Sequence, residues 1–275
     1  MNDYKTMFPG IYRLSPVEKV KRSIIGAAVL AAVAVICVRL EFYPGKFFRG
    51  LSQLGEMLVF FFPPSHGGWF WDFVYAMGET LAMAFLGTLF GFILAFPLSF
   101  LAAKNTMKIQ FVRNTVRRFF DVIRGIDALI WALMFVHVVG LGPFAGIMAI
   151  CVSDMATLGK LFSEAIENVD TAAVKGAEST GANKVQVIRY AIIPAVLPVM
   201  LSNALYFFES NVRSASILGV LGAGGIGMQL YDRLRVLDWD QVTFIVIMIL
   251  LTVAVIDLLS KELRMRIIAN PEYRQ

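Results

Sequence analysis

The sequence has 275 residues, of which 58% are hydrophobic and only 16% charged, with a formal net charge of +5. Soluble domains are about 45–50% apolar and about 25% charged, so the composition excludes an ordinary soluble domain and predicts an integral membrane protein. The net charge does not indicate a nucleic-acid partner, because the charged residues cluster between apolar runs. Cys37 and Cys151 lie inside such runs, which predicts small packed side chains rather than a disulfide framework or a metal site.

Six apolar segments are candidates for membrane-spanning helices, each of which needs about 20 largely apolar residues. They are residues 23–42, 80–103, 119–139, 142–162, 194–213 and 241–260. The first follows basic residues, as in a signal peptide, but no cleavage-type sequence follows it, and we interpret it as an uncleaved anchor. Residues 61–73 combine aromatics, proline and glycine, which is typical of an interfacial loop. The sequence therefore predicts an all-α membrane protein with about six transmembrane helices.

The orientation of these helices follows from the positions of lysine and arginine. Basic residues concentrate in the N-terminal arm, between residues 104 and 118, and in the C-terminal tail, whereas the turn at 140–143 has none. Basic loops stay on the cytoplasmic side, which places both termini in the cytoplasm, as an even number of spans requires. The predicted organisation is a cytoplasmic arm at 1–22, a transmembrane domain at 23–265 and a cytoplasmic tail at 266–275.

The segment 168–193, predicted to be cytoplasmic, carries strong helix start and stop signals. Asp170 is a predicted N-cap, Gly181 a predicted helix stop, and Asn183 a predicted N-cap for a second helix that meets Pro194. A short helix held between two spans is either a connecting loop or a surface on which another protein docks. The residues alone leave both alternatives open.

The stretch 214–230 contains Gly222, Gly224 and Gly227 in the G-x-G-x-x-G pattern, with Asp240 further along. That pattern binds dinucleotides only within a strand–turn–helix unit of a soluble sheet. Here it lies on the predicted outer side of a membrane protein, so a nucleotide site is not predicted. We expect these glycines, with Gly225, to break the helix after the fifth span and to pack two subunits closely. The alternative is a flexible external loop.

Charged side chains inside the fifth predicted span are candidates for function, because each costs about 2.5–3.5 kcal/mol on insertion scales. Glu209 and Arg213 have i, i+4 spacing and are predicted to form a structural pair at the outer end of this span. In the alternative, Arg213 faces the pathway and binds an oxyanion, with Asn211 and Ser214 as neutral donors.

Other intramembrane charges lie in the third and fourth spans. Asp121, Arg124 and Asp127 are predicted to share one helix face near the cytoplasmic interface, as a compensated cluster or as a substrate contact. Asp154 has no local partner, and a basic residue of a neighbouring span is a candidate to pair with it. His137 is predicted to lie at the outer interface rather than to act as a ligand.

The predicted cytoplasmic helix also carries a family resemblance. Its spacing G-A-x-x-x-G-x9-A-x-I-P resembles the E-A-A-x-x-x-G-x9-I-x-L-P motif of ABC-importer permeases, which docks on a cytoplasmic ATPase. The residues that this resemblance marks for ATPase coupling are Lys175, Gly176, Ala177, Glu178, Gly181 and Pro194. Lys175 stands where the family has glutamate and Gly176 where it has alanine. Glu178 is a candidate to replace the missing carboxylate.

Residues 60–265 resemble the phosphonate-importer permease family more widely, through "LGPFAG", "SEAIENVD" and "FESNVRSASILGVLGAGGIG". The resemblance implies a type I ABC importer permease fold in the cytoplasmic (inner) membrane, with a coupling segment at 168–193 and an outer gate region at 214–230. It implies import of phosphonate or a phosphite-like oxyanion. The alternatives are an importer of another small anion or an amino acid, and a secondary transporter that works alone.

The resemblance also implies the partners: a second copy of the permease, two cytoplasmic ATPase subunits and an extracytoplasmic phosphonate-binding protein. The sequence has no G-x-x-x-x-G-K-[ST] pattern, so ATP and Mg²⁺ are expected on the ATPase and no cofactor is expected on this chain. No catalytic triad or metal-ligand cluster is evident either, and neither enzymatic activity nor nucleic-acid binding is predicted.

Overall fold

The computed structural model describes residues 16–40 and 42–269, and this part of the chain contains helices and no strand. The helices are α1 (Pro16–Arg39), α2 (Pro44–Phe60), α3 (Phe70–Ala102), α4 (Gln110–Arg124), α5 (Ala128–Val139), α6 (Pro143–Glu167), α7 (Thr171–Ser179), α8 (Lys184–Val187), α9 (Ile193–Leu218), α10 (Gly225–Arg235) and α11 (Trp239–Ala269). Two π-helical turns, Ile188–Ile192 and Gly219–Ala223, flank α9. The chain divides into two compact units, one ending at Phe60 and the other beginning at Phe61.

The helices confirm the predicted all-α membrane architecture. Five of them are long and apolar enough to span a membrane: α1, α3, α6, the continuous stretch from α8 through α9, and α11. A sixth span is present if α4 and α5 together count as one. Most of the N-terminal arm and of the C-terminal tail lies outside the described residues, and the cytoplasmic position of the termini stays a prediction.

The third predicted span is not one straight helix. The axes of α4 and α5 differ by 84°, and the chain turns at Gly125 and Asp127, where the Asp127 side chain caps α5 by accepting the N–H of Leu129. A helix with an N-cap inside it is interrupted, because the capping residue has non-helical backbone angles. The prediction that Asp121, Arg124 and Asp127 share one helix face is therefore wrong.

The region before the second span is also more helical than the sequence indicated. Residues 44–60 form α2, where no helix was predicted; its three glycines lower the helix propensity of this segment. In the other unit, α3 begins at Phe70, ten residues before the predicted start of the second span. The interfacial loop predicted at 61–73 accordingly ends at residue 69. Asp72 lies in the first turn of α3, where a carboxylate interacts favourably with the helix dipole.

The core of the larger unit forms where α3 packs along α6. Gly87 and Gly91 of α3 allow this close approach, since a Cβ atom on either would overlap Ile150 or Asp154 of α6. Apolar side chains fill the interior on both sides of this contact, for example Phe162 towards one end and Phe73 towards the other. The contact holds the middle of α6 next to α3 and α9, where the polar residues of the membrane region lie.

Candidate functional site

A buried polar cluster joins three helices in the middle of the larger unit. The Asn211 side-chain amide of α9 donates to Thr88 Oγ1 of α3 at 2.8 Å and to Asp154 Oδ2 of α6 at 2.5 Å. Asp154 is only 3% exposed. Within the described residues Asp154 has no cationic partner, so the expected basic neighbour is wrong. An amide donor satisfies the carboxylate without bringing a second charge into the membrane.

We expect Asn211→Leu to destabilise the fold, because it leaves the buried Asp154 carboxyl without its amide donor. An unsatisfied buried polar group costs about 1–3 kcal/mol, measurable as a lower midpoint of thermal unfolding in detergent. Thr88→Val is the comparison: it keeps the side-chain shape and the Asn211–Asp154 hydrogen bond but removes the Thr88 hydroxyl, which also contacts Asp154, so a smaller loss is expected. An Asn211→Leu protein as stable as the wild type would contradict this account.

A network of two acids and two bases ties α9 to α11. Glu209, only 13% exposed, pairs with Arg213 at 3.5 Å and with Arg264 at 2.6 Å. Arg213 pairs in turn with Asp257 at 3.2 Å. The predicted Glu209–Arg213 pair is confirmed, but its predicted place at the outer end of the span is wrong, because α9 continues to Leu218. The network is electrically balanced, and its least exposed member, Glu209, is the one held by two arginines.

In the ion-pair network and the buried polar cluster, the hydrogen-bond donors are already engaged by other side chains and are not free to bind a solute. The Arg213 guanidinium is half exposed but shared between Glu209 and Asp257. The Asn211 amide is committed to Thr88 and Asp154, so it is not the free donor that the alternative reading expected. Ser214 is half-buried. In the described part of the chain, no three metal-ligating side chains come together.

The glycine stretch breaks the helix, as expected from the sequence. After α9, Gly222 and Gly224 have φ angles of 97° and 79°, and α10 begins at Gly225. Glycine adopts these left-handed angles without the penalty that other residues carry. The break reverses the chain within a few residues and returns α10 towards α3.

Two side chains of α3 complete this break by capping α10. Gly224 lies at the N-cap position and has no side chain, yet the N–H of Ile226 donates to Thr80 Oγ1 at 2.9 Å and that of Gly225 to Glu79 Oε2 at 3.2 Å. The first N–H groups of a helix need such partners, and a carboxylate there also complements the helix dipole. The sequence analysis missed Glu79 and Thr80, because 146 residues separate them from the groups that they cap.

The glycines make their close contacts inside the chain. Gly227 and Gly219 bring the backbones of α10 and the π-helical turn together, and Gly224 lies against the Pro143 ring. These close contacts lie within the chain, and the expected packing of this stretch between two subunits stays a prediction. Beside the glycines opens a cleft of about 720 Å³, whose lining includes Glu79 and Gly225.

The predicted cytoplasmic segment forms the two short helices α7 and α8 with the expected caps. The Asp170 side chain accepts the N–H of Ala172 at 2.9 Å, and Gly181 follows α7 with a φ of 81°. Asn183 and Gln186 form a reciprocal capping box at the start of α8. Pro194 follows the π-helical turn at the start of α9, as expected where a proline lacks its N–H donor. The N-caps and the helix stop predicted from the sequence are confirmed.

The two faces of α7 differ. Val174 and Ala177 are half-buried against the rest of the chain, and no residue of α7 is fully buried. On the other face, Ala172 and Ala173 are exposed, and a Cβ atom on Gly176 would point into open space. This exposed face carries only small side chains. Lys175 and Glu178 point along a groove behind the helix.

The base of this segment is attached firmly to the preceding loop. Glu167, at the end of α6, accepts the N–H of Lys104 at 2.6 Å and pairs with Arg117. The Asn105 amide donates to the carbonyl oxygens of Ile166 and Glu167 at 3.2 and 3.1 Å. Nearby, Asp121 pairs with Lys160 rather than with Arg124, which is exposed at the end of α4. The start of the 168–193 segment is therefore fixed to the loop after α3.

Residues 87–267 match the family described as binding-protein-dependent transport system inner membrane component. A putative phosphite transport system permease protein of Stutzerimonas stutzeri is 38% identical over 243 residues, covering 88% of this chain and 84% of the relative. A putative cryptic phosphonate transport system permease protein of Escherichia coli (strain K12) is 42% identical over 117 residues, 42% of this chain and 96% of the relative. The MetNI methionine ABC transporter, solved in inward-facing conformations, aligns with a TM-score of 0.66 at 20% identity, covering 74% of this chain and 99% of that chain.

Proposed function

Because the chain belongs to the family of binding-protein-dependent transport system inner membrane components, we propose that it is the permease subunit of an ATP-driven importer for a phosphonate or a phosphite-like oxyanion. Its fold is that of ABC importer permeases, and the family places it as a multi-pass protein in the inner membrane. The names of its relatives, which specify phosphite and phosphonate transport, support the substrate class.

The observation that carries the proposal is the capped, exposed helix α7. A helix of nine residues is too short to be stable alone in water, yet this one is defined at both ends by Asp170 and Gly181 and presents an uncovered face. Binding to such a helix loses little conformational entropy, because its backbone is already fixed. It fits a docking surface for an ATPase better than a passive connection.

In the proposed assembly, two copies of this chain form one pathway and two ATPase subunits hold the 168–193 segments. ATP and Mg²⁺ are bound by the ATPase, and this chain carries neither a cofactor nor an enzymatic activity. A phosphonate-binding protein delivers the substrate at the 214–230 region, which forms the outer gate. Closure of the ATPase pair moves α7 and opens the pathway outward.

Within this assembly, Arg213 connects helices rather than binding substrate. Its pairing with Asp257 in addition to Glu209 supports the structural role, because a guanidinium held by two carboxylates has little net attraction for an anion. A pathway with few free cations releases an anion quickly. Affinity then belongs to the separate binding protein.

Uptake of labelled 2-aminoethylphosphonate tests the function. Cells that lack their own phosphonate permease, but keep the ATPase and the binding protein, are expected to take up the label when they express this chain. Uptake should stop when ATP is depleted. A well-expressed chain that binds the ATPase but gives no uptake would overturn the proposed substrate. A purified chain that transports unaided in liposomes would overturn the proposal of an ATP-driven importer.

A further inference from the structure

A basic groove lies behind α7, between this helix, α8 and the loop after α3. Its volume is about 270 Å³. Its polar lining includes Asn105, Thr106, Lys108, Lys175, Glu178 and Lys184. We propose that this groove binds a small tetrahedral oxyanion of the phosphate or phosphonate class.

The charges of the groove carry the proposal. Lys108, Lys175 and Lys184 come from three separate elements, and Glu178 is the one carboxylate among the residues that line the groove. None of these three lysines forms an ion pair within the part of the chain that the structure describes. Like charges that line one groove repel one another, and a bound anion relieves that repulsion. Lysine ammonium groups are common ligands of phosphate.

Two of the three neutral polar side chains of the groove already donate within the chain. The Asn105 amide nitrogen donates to the Ile166 and Glu167 carbonyl oxygens. The Thr106 hydroxyl donates to Phe100 O at 2.5 Å. An anion, which needs donors, is therefore bound mainly through the ammonium groups, with the Thr171 hydroxyl as a further donor at the lining, and removal of the ammonium groups weakens the site.

A free solute fits the groove better than a side chain of the docked protein does. The face of α7 that bears Ala172, Ala173 and Gly176 is exposed on the outside. Val174 and Lys175, on the opposite side, line the groove. A protein that covers the exposed face leaves the space behind the helix accessible only to small molecules.

Binding here connects two parts of the chain that the proposed function requires to move. One wall is the loop that Asn105 fixes to the end of α6, and the other wall is α7 with α8. An anion held between Lys108 and the lysines of α7 and α8 ties the coupling helix to the membrane region. If the proposed function holds, oxyanion that accumulates in the cytoplasm slows its own import.

Calorimetric titration of the purified full-length chain in detergent tests the site, with inorganic phosphate and methylphosphonate as probes. Both are expected to bind, and the double variant Lys175→Gln, Lys184→Gln should bind about tenfold more weakly, since two exposed ion pairs with the anion are lost beside one another. Lys104→Gln is the matched control, because its side chain is not part of the groove lining. It should bind as the wild type does.

Four results would overturn the site: no binding by the wild type, equal affinity in the double variant, an equal loss in Lys104→Gln, or loss of phosphate binding once the ATPase is docked. The titration needs no transport, so it decides the site even if the uptake experiment fails. In the assembled importer, methylphosphonate on the ATPase side should slow ATP hydrolysis by the wild type more than by Lys184→Gln. Equal inhibition of the wild type and of Lys184→Gln would overturn the proposal that the oxyanion slows its own import through this groove.

Discussion

Replacing Gly227 by alanine is expected to abolish uptake, because α10 can no longer pack against the end of α9. An added Cβ atom would overlap the Ser216 carbonyl oxygen and lie 2.9 Å from both Gly219 Cα and Val220 N. These are backbone atoms, which cannot rotate away as a side chain does. Overpacking costs about 1–3 kcal/mol even where side chains can adjust, so a larger loss of stability is expected here. Thermal unfolding in detergent and uptake in cells measure the two effects.

Gly78→Ala is the matched control for this substitution. Gly78 also lies in a helix, α3, but nothing lies within 4 Å of the position of its Cβ atom. Alanine there should leave uptake unchanged and stabilise the helix by up to about 1 kcal/mol. If Gly227→Ala unfolds at the wild-type temperature and supports wild-type uptake, the close approach of α9 and α10 is not needed for function.

The parts of the fold that could be predicted from the sequence are those set by local hydrogen bonds. Asp170 caps α7 two residues along the chain, and Asn183 pairs with Gln186 three residues along. Such caps depend on the identity of a few neighbouring residues and not on the rest of the chain. The i, i+4 pair of Glu209 and Arg213 was found for the same reason.

What the sequence could not predict depends on contacts between distant segments. Asn211 lies 123 residues from Thr88, and no local pattern marks the two as partners. The same holds for Asp257 and Arg264, which complete the network around Glu209. The third span was misread because average hydropathy does not detect an N-cap within an apolar region, and Asp127 is such a cap.

The expected partner of Asp154 shows a further limit of reasoning from charge alone. A lone carboxylate in a membrane suggests a cation nearby, since an isolated buried charge is costly. The structure satisfies it with the Asn211 amide instead. Arg213 and Arg264, of α9 and α11, pair with Glu209 and not with Asp154. If the proposed function holds, neither guanidinium is free to retain an anion in the pathway.

Replacing Gly181 by valine is expected to release the ATPase and to stop uptake while the membrane region stays folded. Gly181 has a φ of 81°, and a left-handed backbone costs a residue with a side chain about 1–2 kcal/mol. The nine-residue helix α7 depends on this stop, because helices of such length are marginal on their own. No residue of α7 is buried, so thermal unfolding of the chain in detergent should change little. Co-purification with the ATPase measures the loss of docking.

Gly176→Ala is the decisive comparison, because it changes another glycine at the same helix without disturbing the backbone. Gly176 faces open space, alanine favours the helix by about 1 kcal/mol, and the resembled coupling motif has alanine at this position. This variant should keep the ATPase and transport at the wild-type rate. If Gly181→Val also keeps the ATPase, α7 is a connecting segment and coupling occurs elsewhere. If both variants lose it, the exposed face of α7 tolerates no added methyl group, and docking depends on that face rather than on the helix stop.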